Sequence, residues 1–146
     1  MRDAIGQVFT LQIILAFVLL INGYMAYSVN YTRAFRVKNQ IINYIEQYEN
    51  PENEDAKAKI NSYVQTMNYK VSNRLINEKQ SKGYTCYKEG WCYKAFPVST
   101  ANGDGDLNGT YYAVVTFVNI DIPVINNLVG LGSFLEVVGE TKTIYQ

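Results

Sequence analysis

Cys86 and Cys92 are the only cysteines of the chain, and a turn-forming Glu89-Gly90 lies between them. Two thiols at this spacing have two chemistries open to them. Oxidised, they close a loop of about seven residues and stabilise a fold by roughly 2.4 kcal/mol on the chain-entropy model, less any strain. Reduced, they can ligate a metal, but two thiolates leave a zinc tetrad half filled, and the chain has no histidine to complete it. The disulfide is the favoured reading. Because disulfides persist outside the cytoplasm, it places this part of the chain in an oxidising compartment.

A second grouping lies in Thr100-Ala101-Asn102-Gly103-Asp104-Gly105-Asp106-Leu107. Counted from Thr100, Asn102, Asp104 and Asp106 occupy the third, fifth and seventh positions of a calcium loop, with Gly105 at the sharp turn. Threonine at the first position and Tyr111 at the twelfth, where a bidentate acid belongs, leave a low ligand charge. A hairpin loop using Gly, Asn and Asp for local backbone reasons is the favoured reading, with weak calcium binding as its rival. No other cofactor is expected. Asn30 and Asn108 each begin an Asn-x-Thr triplet, which reads as a glycosylation acceptor only in a eukaryotic secreted protein.

The absence of histidine removes the commonest general base and its nucleophile pairings. No paired acids or nucleophile–base pair stands out, so a non-catalytic protein is expected. Lysine plus arginine and aspartate plus glutamate both number 13, so no basic excess exists to neutralise nucleic-acid phosphates, and nucleic acid is not expected as a partner.

What must position these residues is a chain of two unlike parts. Residues 4–32 carry no charge, and within them 8–27 read VFTLQIILAFVLLINGYMAY. Twenty helical residues at about 1.5 Å each span about 30 Å, the hydrocarbon thickness of a bilayer. A cleaved secretory signal would have a stronger basic start and a shorter apolar core, and a soluble core helix rarely stays apolar for five turns. A single membrane-spanning helix is therefore expected, with the lipid bilayer as its partner. Thr10, Gln12, Asn22 and Gly23 within it would be better placed against another helix. Tyr24, Tyr27 and Tyr31 suit an interfacial aromatic belt or a helix-packing stripe.

Beyond the apolar run, Ala34, Phe35, Lys38, Ile41, Ile42, Ile45 and Tyr48 recur at three- and four-residue steps, predicting one continuous helix of about forty residues. Asn50 is the expected N-cap of a second helix, with Pro51 in its first position and Ala56, Ile60, Tyr63, Val64 and Met67 on its apolar face. Strands are expected over residues 69–75, 85–87, 91–98, 111–122 and 133–144, the fourth of them central and covered by a helix. The fold class is α+β: a long N-terminal helix, a second helix and a small antiparallel sheet. The expected division is a short leader over 1–6, the membrane and amphipathic helix over 7–50, and an extracytoplasmic domain over 51–146.

Two orientation signals disagree. Arg33, Arg36 and Lys38 follow the apolar run, against Arg2 before it, so a strict count of positive charge puts the C-terminal part in the cytoplasm. The cysteines put it outside.

This plan resembles type IV pilins and pseudopilins. Two stretches are similar to the TadE-like pseudopilins of tight-adherence (Tad) pili: YTRAFRVKNQIIN at residues 31–43, and YYAVVTFVNIDIP at 111–123 followed by LVGLG at 128–132. The resemblance covers both ends of the chain and leaves residues 50–109 unmatched. It implies a membrane-anchored subunit of a bacterial surface filament or secretion apparatus. It further implies that Val8, Phe9, Leu11, Ile13, Ile14, Phe17, Leu19 and Leu20 pack against sister subunits, and that a prepilin peptidase cuts between Gly6 and Gln7. The chain departs from the family at Leu11, where such pilins carry a glutamate that pairs with a neighbouring amino terminus. The alternative function is a single-pass anchored binding module that never polymerises.

Overall fold

A computed structural model describes residues 2–67, 71, 73–100, 107–118 and 135–145. Its elements are α1 (Arg2–Tyr48), α2 (Glu54–Thr66), α3 (Asn73–Ser81), β1 (Thr85–Tyr87), β2 (Trp91–Thr100), β3 (Leu107–Val118), β4 (Leu135–Glu140) and β5 (Ile144–Tyr145). The α+β class expected from the sequence is the class observed, with one helix more than expected.

Helix α1 is unbroken over 47 residues. Its second half enters the core through Ala34, Val37, Ile41 and Ile45, all fully buried. The expected face is rotated slightly: Val37 belongs at its centre, whereas Phe35 is 42% exposed. The helix ends at Glu49, whose φ of 57° turns the chain out of the helical path.

Asn50 does not cap the next helix. Its Oδ1 accepts the Glu52 N–H at 2.8 Å and closes a local turn around Pro51. The cap is Asn53, whose Oδ1 accepts the N–H groups of Asp55 at 2.9 Å and Ala56 at 3.4 Å. Glu54 and Asp55 then sit in the first turn, where carboxylates complement the positive end of the helix dipole. Helix α2 buries Ala56, Ile60 and Val64 on the face the periodicity predicts.

The strand expected over 69–75 is corrected where it is described, because residues 73–75 begin α3. Arg74, Leu75, Glu78, Lys79 and Gln80 are good helix formers, and Leu75, Ile76 and Lys79 share the buried side. Gly83 stops the helix at φ 80°, with Tyr84 N bonded to Lys79 O at 3.2 Å and Gly83 N to Gln80 O at 3.0 Å. That pair of bonds is a Schellman motif, which favours glycine for its left-handed residue.

The sheet has the order β1-β2-β3-β4, with β5 also pairing with β3, and every pairing is antiparallel. As expected, β3 is central, and Ala113, Val114, Val115, Thr116 and Phe117 are all buried. The last expected strand divides in two. Glu140 pairs with Ala113 and Ile144 with Thr110, four steps against three, so one extra residue bulges at the division. The Tyr112 N–H donates to Thr141 Oγ1 at 2.9 Å there, so the interruption leaves that group paired.

Helices α1 and α2 cover one face of the sheet, building a core from Val37, Ile41, Ile45, Ile60, Val64, Trp91, Tyr93 and Val114. On the other face Leu75 of α3 packs with Cys92, Val115 and Phe117. Polar ties fix α1 in register. The buried Thr116 hydroxyl donates to Ala34 O at 3.0 Å, and the Lys142 N–H donates to Glu46 Oε1 at 2.8 Å. The Tyr93 hydroxyl donates to Glu52 Oε1 at 2.8 Å. Burial first, then this bond, holds that hydroxyl protonated above the usual tyrosine range.

Gly139 sets the closeness of α1 and β4. A Cβ there would lie 2.8 Å from both Ile42 Cδ1 and Lys38 Cδ. Gly139→Val is therefore expected to separate the two elements and cost about 1–3 kcal/mol. Urea denaturation of the full chain in detergent, followed through the sole tryptophan, checks this as a lowered midpoint.

Candidate functional site

The first half of α1 has no place in that core. Val8, Phe9, Leu11, Ile13, Ile14, Phe17, Leu19 and Leu20, the expected packing residues, are all exposed, the least so being Ile13 at 46%. Leu15, Val18, Ile21 and Met25 are exposed as well, so the apolar surface runs round the whole rod. A helix apolar on every side is stable in lipid or within a bundle, not in water. Among the described residues one helix, Gly6–Tyr48, is long and apolar enough to cross a membrane, and only 6% of its most apolar window is buried. A core helix of a soluble domain would be mostly buried.

Two polar residues of the rod bond back onto its own backbone. Thr10 Oγ1 donates to Gly6 O at 2.8 Å and Asn22 Nδ2 to Val18 O at 2.9 Å. The Thr10 hydroxyl and one of the two Asn22 amide hydrogens are thus taken by the carbonyl one turn back. Gly6 and Gln7, the candidate leader boundary, are exposed and helical.

Aromatic rings follow at the upper end of the rod. Tyr27 stacks on Tyr31 at 6.1 Å and Tyr31 on Phe35 at 6.5 Å, and Lys38 Nζ closes the row 4.2 Å from the Phe35 ring. Lys38 is only 8% exposed, and burial lowers its pKa. Arg33 and Arg36 are exposed.

Cys86 and Cys92 are disulfide-bonded, their Cα atoms 4.1 Å apart across adjacent strands β1 and β2. Gly90, at φ 96°, supplies the left-handed residue of the three-residue hairpin, and its N–H donates to Tyr87 O at 3.0 Å. Cys92 is fully buried in the cluster shared with Leu75 of α3. Replacing both cysteines by serine is expected to cost the domain about 2 kcal/mol. The same denaturation experiment checks it, and membrane retention of the variant should be unchanged.

The calcium candidates Asn102, Asp104 and Asp106 lie outside the described residues. The strands on either side of them are paired, with Thr100 of β2 registered with Leu107 of β3. Among the described residues, no group of three histidine, cysteine or acidic side chains could hold a metal ion.

Sequence reasoning missed one link between layers. Lys79 of α3, almost fully buried, pairs with Glu136 of β4 at 2.6 Å. Nothing in the sequence pairs these two residues, which lie on separate elements far apart in the chain. Compared with protein-family models, curated proteins and solved structures, the chain matches no family model, no curated protein and no solved structure.

Proposed function

We propose that the protein is a non-catalytic, single-pass membrane subunit of the pilin-like kind, held by α1 with its α+β domain on the extracytoplasmic side, and that it takes part in assembling a bacterial surface filament or secretion apparatus. One observation carries this reading. A single unbroken helix is both an exposed apolar rod and the spine of a folded domain, so the domain cannot move without moving the rod. In the bilayer, lipid covers the rod. When an assembly machine withdraws it, sister rods must replace the lipid, because water cannot. The disulfide supports the extracytoplasmic side, and the TadE-like stretches at both ends of the chain support the filament. The lack of histidine supports a structural role over an enzymatic one.

The experiment is recovery of the tagged native chain from sheared cell-surface fibres. Presence in the fibres with an amino terminus at Gln7 is the expected result. Strictly monomeric membrane-bound chain retaining Met1 would favour an anchored binding module instead.

A further inference from the structure

Between residues 4 and 45 the chain has no acid, and its only bases are Arg33, Arg36 and Lys38. Among the described residues the ion pairs join Lys79 to Glu136 and Lys82 to Glu78, and neither includes any of these three bases. Arg33 and Arg36 are exposed. They lie three residues apart on α1, the spacing of neighbours on a helix surface, and two guanidinium forks so placed can hold one phosphodiester. Lys38 is only 8% exposed, its stem filling the space that a side chain at Gly139 would need. Its ammonium lies 4.2 Å from the ring of Phe35, three residues back along α1, so the charge is carried toward the apolar rod. Burial lowers its pKa, a penalty that an anion beside it would relieve.

The level of these cations follows from the length of the uncharged run before them. Residues 4–32 span about 44 Å as a helix, against about 40–45 Å for a bilayer with its headgroup layers. A rod that fills the bilayer therefore delivers Arg33 and Arg36 at the headgroup layer. The core face of α1 begins at the same level, since Ala34 is fully buried and its carbonyl accepts the Thr116 hydroxyl. The end of the domain nearest the lipid is thus the basic end of its helix. Glu46, the first acid, lies thirteen residues beyond Arg33, about 20 Å farther from the lipid. That is about two Debye lengths at about 0.1 M salt, so an anionic surface attracts the bases and scarcely repels the acid. On β4, which packs on this part of α1, Gly139 faces the helix. Glu136 and Glu140 lie an odd number of residues from it and so belong to the other face, and Glu136 is already paired with Lys79.

Resting on the membrane-anchor reading but not on filament assembly, we propose that Arg33 and Arg36, with Lys38 at the same level, form a binding site for the headgroup of an anionic phospholipid, which seats the domain on the surface of the leaflet. The ligand is a lipid whose phosphate leaves it a net negative charge, such as phosphatidylglycerol. Phosphatidylcholine, whose choline cancels the phosphate charge, is not a ligand. Lipid is the occupant because the unpaired cations stand where α1 leaves the hydrocarbon, in the layer that headgroup phosphates fill. The site gives the three bases a function on the disulfide-bearing side, where a strict count of positive charge would not have them.

The test is electron paramagnetic resonance of the full chain reconstituted in phosphatidylcholine bilayers with a trace of spin-labelled phosphatidylglycerol or spin-labelled phosphatidylcholine. Lipid held against the protein gives a motionally restricted component, and the ratio of the two associations is the selectivity. The native chain should prefer phosphatidylglycerol roughly fivefold or more, the effect of at least one basic residue at an anionic surface. Arg33→Gln with Arg36→Gln should bring the preference below about twofold. Total restricted lipid and the Cys86–Cys92 bond should stay unchanged in that variant, since both arginines are exposed and outside the core. Arg2→Gln, before the apolar run, should leave the preference as it is. Equal association of both lipids with the native chain would overturn the inference and leave the anchor standing. So would a preference that survives the double exchange in a folded chain, or one that vanishes with Arg2→Gln. Absence of any restricted lipid would overturn the anchor reading, and this inference with it.

Discussion

Leu15→Asp combined with Leu19→Asp releases the chain from the membrane while its domain stays folded. Both positions are on the exposed rod, at 55% and 59% exposure, one helical turn apart and far from the core face that begins at Ala34. Near the middle of a bilayer, aspartate costs about 2.5–3.5 kcal/mol where leucine gains about 0.3–0.6. Two exchanges therefore remove about 6–8 kcal/mol of insertion free energy, enough to reverse partitioning. Water-side helicity survives, since α1 beyond Ala34 is held by Ile41, Ile45 and the Thr116 bond. The measurement is fractionation on carbonate-washed membranes, with non-reducing gel mobility as the report on the disulfide. Unchanged membrane recovery would count against the anchor.

Trp91→Ala has the converse effect, unfolding the domain and leaving the anchor in place. Trp91 is fully buried, its ring stacks on Tyr87 at 4.4 Å, and Nε1 donates to Asn61 Oδ1 at 3.2 Å. It touches both the sheet and the α1–α2 layer, so truncation opens a cavity between layers and strands the Asn61 carbonyl. Large aromatic truncations of this kind cost about 3–5 kcal/mol, against about 5–15 kcal/mol for a whole domain. Circular dichroism of the full chain in micelles should show a Tm lowered by many degrees, and limited proteolysis should cut the domain while carbonate-resistant α1 remains. Trp91→Phe, which keeps an aromatic ring but loses part of the indole's volume and its bond, should cost less than Trp91→Ala but more than the bond alone.

The two variants separate what the chain made legible from what it hid. The rod was legible because lipid-like solvent demands an uncharged run of fixed length, and residues 8–27 have that length whatever surrounds them. Strands β1 to β3 were legible through glycine punctuation and β-branched runs, most plainly at Tyr111-Tyr112-Ala113-Val114-Val115-Thr116-Phe117. Helix α3 was not, because its nine residues are polar apart from Leu75 and Ile76, and its terminating bonds are visible only in three dimensions. The Asn50 and Asn53 choice likewise turned on geometry: both are good caps, and Pro51 diverted the first into a turn. Lys38 illustrates a different limit. Its place among aliphatic residues at helical spacing was read correctly, but only the contact with Gly139 explains why its stem is buried. As to the candidate site, the uncharged rod was legible from composition and the disulfide from compartment logic, whereas the exposure of the rod and the burial of Cys92 needed the fold.

The central claim is that α1 lies in two solvents, its first half among lipid or like helices and its second half in the domain. A spin label on a single introduced cysteine tests it directly, because Cys86 and Cys92 are consumed by their disulfide. In the full chain reconstituted in bilayers, a label at Leu15 should collide with dissolved oxygen far more often than with a water-soluble nickel chelate, and a label at the exposed Asn43 should show the reverse. A label at Leu15 that meets the nickel chelate as readily as one at Asn43 would contradict the account.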